Sequence, residues 1–460
     1  MRLEVPELKP RLAAWVEALM ADKGALDAAV REFGSPFHVH CDTPFVENIK
    51  AFAAALSLAG VEGRVFYARK ANSFLPFSRA AADAGAGIDV ASLFELQDTL
   101  RQGIPGRDII LTASAKSRAM LSEAVDAGVC VVLDNWTDLE RLREVAQERS
   151  AVVMIRLSAF SFQTGAKASR FGFPLSKCGE VLEALGSLTL RGFQFHLDGY
   201  SSEERVQAIE ETLPLFHEAR RRGHAPSTLD IGGGFPVRYL ERPEQFGVFL
   251  REVIAAQKGE RAPFTYRNDG FAITVQEGEP VAPRLYPFAS ARPKHEFLKD
   301  ILDTKLQCGR TVAQAMRDEK IEVCVEPGRA LLDGAGVTIA SVSHDKRIAD
   351  GSRYVTLDMN QTQCRAVSLE FCVDPIWLGE ECSAREPGFL TGDTCMESDL
   401  ILRRMVMIPS DLPDDSLVLF PNTAGYHMHL FQSPGHRGVL PANLEWSQRY
   451  GLRSEKRAKE

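Results

Sequence analysis

Short apolar, β-branched runs recur along the first two thirds of the chain, with helical patterns between most of them. Eight can be counted: 65–68 (VFYA), 88–91 (IDVA), 109–112 (IILT), 131–134 (VVLD), 152–157 (VVMIRL), 192–197 (GFQFHL), 228–232 (TLDIG) and 322–327 (EVCVEP). Segments 75–84, 93–102, 118–127 and 203–222 place their apolar residues at helical spacing. Strands alternating with helices predict a parallel sheet. Eight such units predict an α/β fold, a (β/α)8 barrel with its active site at the C-terminal ends of the strands. Gly234 and Glu326 lie 92 positions apart. A structureless loop of that length is foreign to a compact domain, so the pattern predicts an insertion at about 239–320 with structure of its own.

After Arg329 the pattern changes. Runs 336–342, 353–357, 401–408 and 416–420 are short, with turn residues between them and few helical stretches. They predict a C-terminal antiparallel β domain, to which Phe37-His38-Val39-His40 could add a strand. The expected organisation is an N-terminal segment 1–43 contributing to the β domain, a barrel over 44–331 carrying the insertion, and the β domain over 332–460. The charged tail 453–460 is expected to fray.

Composition narrows the function classes. The chain has 460 residues, 45% of them apolar and 25% charged, an ordinary globular balance. Its formal net charge of −8 argues against a nucleic-acid binder. No apolar run approaches the roughly 20 residues that span a bilayer. The first twenty residues mix charge with apolar residues at helical spacing, which is not the pattern of a signal peptide. Nine scattered cysteines without a CxxC pair suit a reducing cytoplasm and exclude a zinc ribbon, and no metal is expected.

Reactive or polar residues end the apolar runs: Lys70, Asp89 with Ser92, Ser114, Asp134, Arg156, His196, Gly232-Gly233-Gly234, and Glu326 with Arg329. Lys70 follows the strand pattern VFYA directly, where a lysine can form a Schiff base with an aldehyde cofactor. The glycines can bring backbone N–H groups close to a phosphate. Arg329 offers a charged planar fork for the same group. A carboxylate such as Glu326 beside a pyridine nitrogen stabilises its proton. Together these residues are what a pyridoxal phosphate (PLP) site needs.

In order along the chain stand Tyr67-Ala-Arg-Lys70-Ala-Asn72, Gly87-Ile-Asp89-Val-Ala-Ser92, Ser169-Arg-Phe-Gly172, His196 with Gly199 and Ser201, Gly232-Gly-Gly-Phe235-Pro, Glu326-Pro-Gly-Arg329, Gly392-Asp-Thr-Cys395 with Asp399, and Gly425-Tyr426. From about residue 35 to 431 the chain resembles the fold-type III PLP enzymes, specifically the ornithine/diaminopimelate/arginine decarboxylase group with its alanine racemase-like barrel. The resemblance implies that Lys70 carries pyridoxal 5'-phosphate as an aldimine and that His196 stacks on its ring. It implies phosphate contacts from Ser201, Gly233, Gly234, Arg329 and Tyr426, with Asp89 and Arg156 beside the cofactor and Glu326 facing the pyridine nitrogen. It further implies a head-to-tail homodimer with shared sites. In such a dimer Cys395, Asp399 and Asp358 approach from the second subunit, and Cys395 protonates the decarboxylated carbon.

Departures gather at the substrate end. Asp393 replaces the family's usual proline. Met396 replaces an acidic residue, with Glu397 one place later, and Leu-Asp358-Met-Asn replaces a glycine-containing turn. Asp358, Arg365, Met396, Glu397 and Asp399 are therefore the candidate substrate contacts, Arg365 for a distal carboxylate. The resemblance implies decarboxylation of an amino acid, a diamino acid or a conjugate of one, in a divergent branch of the group. A racemase or epimerase on the same cofactor and a non-catalytic regulatory protein of the same fold are the alternatives; a glutamate rather than an arginine at the ring nitrogen favours decarboxylation.

Overall fold

The structure is a computed structural model, and it describes residues 4–147, 149–162, 165, 168–379, 384–413, 416–436 and 438–454. It divides into two compact units, one of residues 46–236 and 292–331, the other of residues 1–45, 237–291 and 332–460.

The first unit is a closed barrel of eight parallel strands: β1 (Gly63–Ala68), β2 (Gly87–Val90), β3 (Ile109–Leu111), β4 (Cys130–Leu133), β5 (Val152–Ser158), β6 (Thr189–Gln194), β7 (Thr228–Asp230) and β8 (Glu322–Val325). Each pairs with its neighbour in chain order, and β8 closes on β1 with Val323 opposite Gly63 and Val325 opposite Val65. All eight predicted runs are barrel strands. They hold because both faces are buried: Phe66, Ile110, Cys130, Val132, Met154 and Cys324 cluster in one apolar core. Gly87 makes room for that core, since a Cβ there would lie 2.3 Å from the Phe66 ring. Side-chain caps start the helices soon after the strands end. Ser92 caps Leu93–Arg101, Asn135 caps Trp136–Ala146, and Ser201 caps the long helix Ser202–Arg221, each accepting a backbone N–H three residues on.

The second unit is built on a nine-stranded sheet. Phe37–His40 lies in its middle, antiparallel to Gly336–Arg347 and parallel to Ala442–Ser447. The sheet is largely antiparallel, with a second parallel pairing between Arg353–Leu357 and Arg385–Thr391. Trp15, Val16, Leu19 and Leu26 from the N-terminal helices pack on Phe37, Val39, Val337, Ile339, Leu419 and Leu444. Gly451–Ser454 pairs with Ala442–Ser447, so the charged tail is ordered that far; 455–460 lie outside the described residues.

One expectation is corrected. The segment 239–320 is not a single insertion into the barrel. Residues 237–291 belong to the β unit, where Tyr239 N–H donates to Phe288 O at 2.7 Å, Tyr266 N–H donates to Arg403 O at 2.8 Å, and Asp269 pairs with Arg403 at 2.7 Å. Residues 292–331 belong to the barrel unit. There the helix His295–Asp303 buries Phe297, Leu298, Ile301 and Leu302, with the Phe297 ring 6.1 Å from that of Phe235. Val312–Asp318 leads into β8 behind a reciprocal Thr311/Gln314 cap. Two helices of the segment expected to be an insertion therefore belong to the barrel unit.

Candidate active site

The barrel unit brings nine of the candidate residues to the C-terminal ends of its strands or just beyond. Lys70 stands in a single helical turn, Arg69–Ala71, directly after β1. Its Nζ lies 3.4 Å from Oδ2 of Asp89 in β2, and Asp89 is almost fully buried. The hydroxyl of Thr112 donates to the other Asp89 oxygen at 2.5 Å. β1 pairs with β2 on one side and β8 on the other, so Lys70 sits between the ends that carry Asp89 and Glu326.

Glu326 is 3% exposed and accepts from Nε2 of Gln194 at 3.3 Å. Burial, then the carboxylates of Asp230 and Asp89, push its carboxyl well above the ordinary range. Asp230 is pushed up to about 6, mainly by burial, while its Oδ1 accepts the Gly232 N–H at 2.8 Å. Its Oδ2 is buried with no hydrogen-bond partner among the described residues.

His196 follows β6 by two residues. Gly233 N–H donates to its Nδ1 at 3.1 Å, which leaves the ring proton on Nε2. Burial, then the charges of Lys70, Arg156 and Arg205, lower its pKa to about 3, so the imidazole is neutral at physiological pH. Gly233 thus orients the ring. A Cβ on Gly233 would lie 2.7 Å from Glu326 O, and one on Gly234 2.4 Å from the Arg205 guanidinium. Gly234 also has φ +78°, which favours glycine. Ser201 is half-buried and caps its helix, accepting Glu204 N–H at 3.1 Å. Arg329 is buried four residues past β8. Arg156 pairs with Asp134 at 3.2 Å and stacks on Phe171 at 4.6 Å. A cavity of about 530 Å³ opens here, lined among others by Arg156, Phe160, Phe162, Phe171 and His196. That volume suits a small organic ligand.

The remaining candidates lie in the β unit. Tyr426 has φ +71°. Cys395, Met396 and Glu397 form an exposed turn, and the Glu397 carbonyl accepts the Tyr266 hydroxyl at 3.3 Å. Asp358 is exposed and its pKa is raised by partial burial and by Asp393. Arg365 is exposed with its guanidinium 5.3 Å from the Phe431 ring centre. Asp399 is held within its own turn. It is 2% exposed, and its two oxygens accept Gln361 N–H at 2.8 Å, Thr394 N–H at 3.0 Å and the Thr394 hydroxyl at 2.5 Å. It ties the Gly392–Thr394 turn in place.

Sequence reasoning passed over Asp230, Gln194 and Arg205. Asp230 left a signal, an acid ending an apolar strand two residues before the glycines. Arg205 left another, a cation at the fourth position of a helix, near the end that favours anions.

These residues fit PLP: a lysine beside a buried acid, a neutral imidazole, a buried carboxyl whose pKa is raised, and a glycine turn with no room for side chains. Comparison with known families decides the point. The pyridoxal binding domain of pyridoxal-dependent decarboxylases matches residues 44–278. The chain belongs to that family. It is a PLP-dependent amino-acid decarboxylase. A Sinorhizobium fredii protein called "Uncharacterized protein y4yA" is 31% identical over 450 residues, 95% of this chain and 93% of its own length. Diaminopimelate decarboxylase of Halalkalibacterium halodurans is 26% identical over 420 residues, 86% of this chain and 83% of its own. The decarboxylase fold recurs in solved structures. Diaminopimelate decarboxylase from M. jannaschii with L-lysine has TM-score 0.70 at 18% identity, covering 93% of this chain and 90% of its own. Lysine/ornithine decarboxylase from Vibrio vulnificus with putrescine has TM-score 0.66 at 19% identity, covering 95% and 99%. No helix among the described residues is long and apolar enough to cross a membrane.

Proposed function

We propose that this decarboxylase acts on a diamino acid or a conjugate of one, with Lys70 holding the cofactor covalently. The observation that carries the reading is the Lys70–Asp89 contact of 3.4 Å at the strand end next to Glu326. PLP, when bound, supplies the electron sink for the carbanion left by loss of CO2. Asp89 holds the lysine ammonium in place. Glu326 is the residue that would keep the ring nitrogen protonated, its carboxylate stabilising the pyridinium proton. His196 offers a neutral ring face fixed by Gly233. Arg329, Gly234 and the helix start at Ser201 would meet the phosphate. Cys395 is the proton donor to the substrate carbon, delivered from a second copy of the chain in a cytoplasmic homodimer.

The distal end of the substrate is read differently from free diamino acids. Met396 is 53% exposed where the group usually has an acid, and the Asp399 carboxylate is committed to its own turn. A charged amine left without a partner there is costly. Asp358, Glu397 and Arg365 remain as polar contacts for a larger or carboxylated group. The test joins two measurements on purified protein. Borohydride is expected to fix the cofactor on the peptide containing Lys70. A CO2-release screen over L- and D-diamino acids, carboxylated diamines and conjugates is expected to favour the last two classes. Label on another lysine overturns the Lys70 role. Efficient turnover of free ornithine, lysine or meso-diaminopimelate overturns the substrate reading.

A further inference from the structure

The barrel unit holds a buried cation whose hydrogen bonds run to backbone carbonyls. Arg205 is 0% exposed, and the Glu204 and Asp198 carboxylates act on its charge less than burial does. Its guanidinium instead donates to backbone carbonyls: Gly199 at 3.0 Å, Gly234 at 3.0 Å, Gly233 at 3.1 Å, Ser201 at 3.2 Å and Leu197 at 3.5 Å. Burial lowers its pKa to about 10, which still leaves it charged at neutral pH. Burial outweighs the nearby carboxylates, so the charge is only partly compensated, and carbonyl dipoles offset only part of the cost.

The contacts also have a direction. In a trans peptide the C=O and the following N–H point opposite ways. Carbonyls of Gly233 and Gly234 turned toward Arg205 therefore aim the N–H groups of Gly234 and Phe235 away from it. The same holds for the Tyr200 N–H behind Gly199 and the Ser202 N–H behind Ser201. One guanidinium thereby gathers two loops and faces their amide donors outward, beside the start of the helix Ser202–Arg221. Outward amides over a buried positive charge form an anion cup.

We propose that Arg205 is a positioning residue of the cofactor's phosphate subsite: it shapes the cup formed by the two loops, and the phosphate dianion balances its charge. This rests on the reading of the glycine turn as the phosphate end of the site.

The test uses the full-length protein freed of cofactor and compares dissociation constants for PLP and for pyridoxal, which lacks the phosphate. Arg205→Met is expected to weaken PLP by about 10- to 150-fold, the range for losing a charge-assisted buried contact. Its affinity for pyridoxal should change less than about threefold, and Arg205→Lys should recover part of the loss. Millimolar inorganic phosphate should raise the melting temperature of the cofactor-free wild type and not that of Arg205→Met. Equal losses for PLP and pyridoxal would show a merely structural arginine and overturn the proposal, while leaving the phosphate site where it is. A wild type that binds PLP no better than pyridoxal would overturn the underlying phosphate reading instead. Should Arg205→Met not fold, Arg205→Lys decides: a several-fold fall in the preference for PLP over pyridoxal supports the proposal, and an unchanged preference overturns it.

Discussion

Lys116 and Asp138 form an ion pair at 2.7 Å with both side chains almost fully buried, 0% and 2% exposed. Lys116 also donates to Ala113 O at 2.5 Å, and Asp138 Oδ2 accepts the N–H of Asp134 at 3.3 Å. Asp134 in turn holds Arg156 at 3.2 Å and the Gly172 N–H at 3.2 Å. The pair therefore lies beneath the arginine of the site. Replacing Lys116 by Met keeps the stem and removes the charge, which strands an uncompensated carboxylate in the core. Breaking one partner of such a pair costs about 3–5 kcal/mol. For a unit of roughly 150–250 residues, that is a fall in melting temperature of about 6–20 °C. Adding Asp138→Asn removes the stranded charge and keeps an oxygen for the Asp134 N–H, so the double variant should recover most of the loss. The assay is thermal and urea unfolding of wild type, Lys116→Met and Lys116→Met/Asp138→Asn, all without cofactor. A single variant within about 1 kcal/mol of wild type would refute the reasoning. So would a double variant no more stable than the single.

Glu326→Gln should retain PLP, since the phosphate contacts remain, yet lose about 10²-fold in kcat because the charge that supports the ring proton is gone; unchanged turnover would contradict the role given to Glu326. Lys70→Ala and Cys395→Ala should each be nearly inactive. Mixed under subunit exchange, they should regain about a quarter of wild-type activity if each site takes one residue from each chain; no recovery, with exchange demonstrated, would mean that each chain builds its own site.

Much of this protein was legible before any fold was drawn. The barrel was legible because its strands are buried on both faces, so runs such as VVMIRL stand out from the helices between them. The strand-end residues Lys70, Asp89, His196 and Glu326 were legible because one barrel end collects the loops that follow every strand. The sequence could not divide 239–320 between two units. That division depends on long-range pairing: Tyr266 with Arg403 in one unit, and Phe297 with Phe235 in the other. It could not show that Gly233 spends its N–H on His196, or that Asp399 is consumed by its own turn. Nor could it pair Glu326 with Asp230, residues 96 positions apart that approach only because β7 and β8 are neighbours. Residue type and local period are properties of the chain. Which donor meets which acceptor, and which charge is left to be balanced by a ligand, is decided only when the strands close and water is excluded.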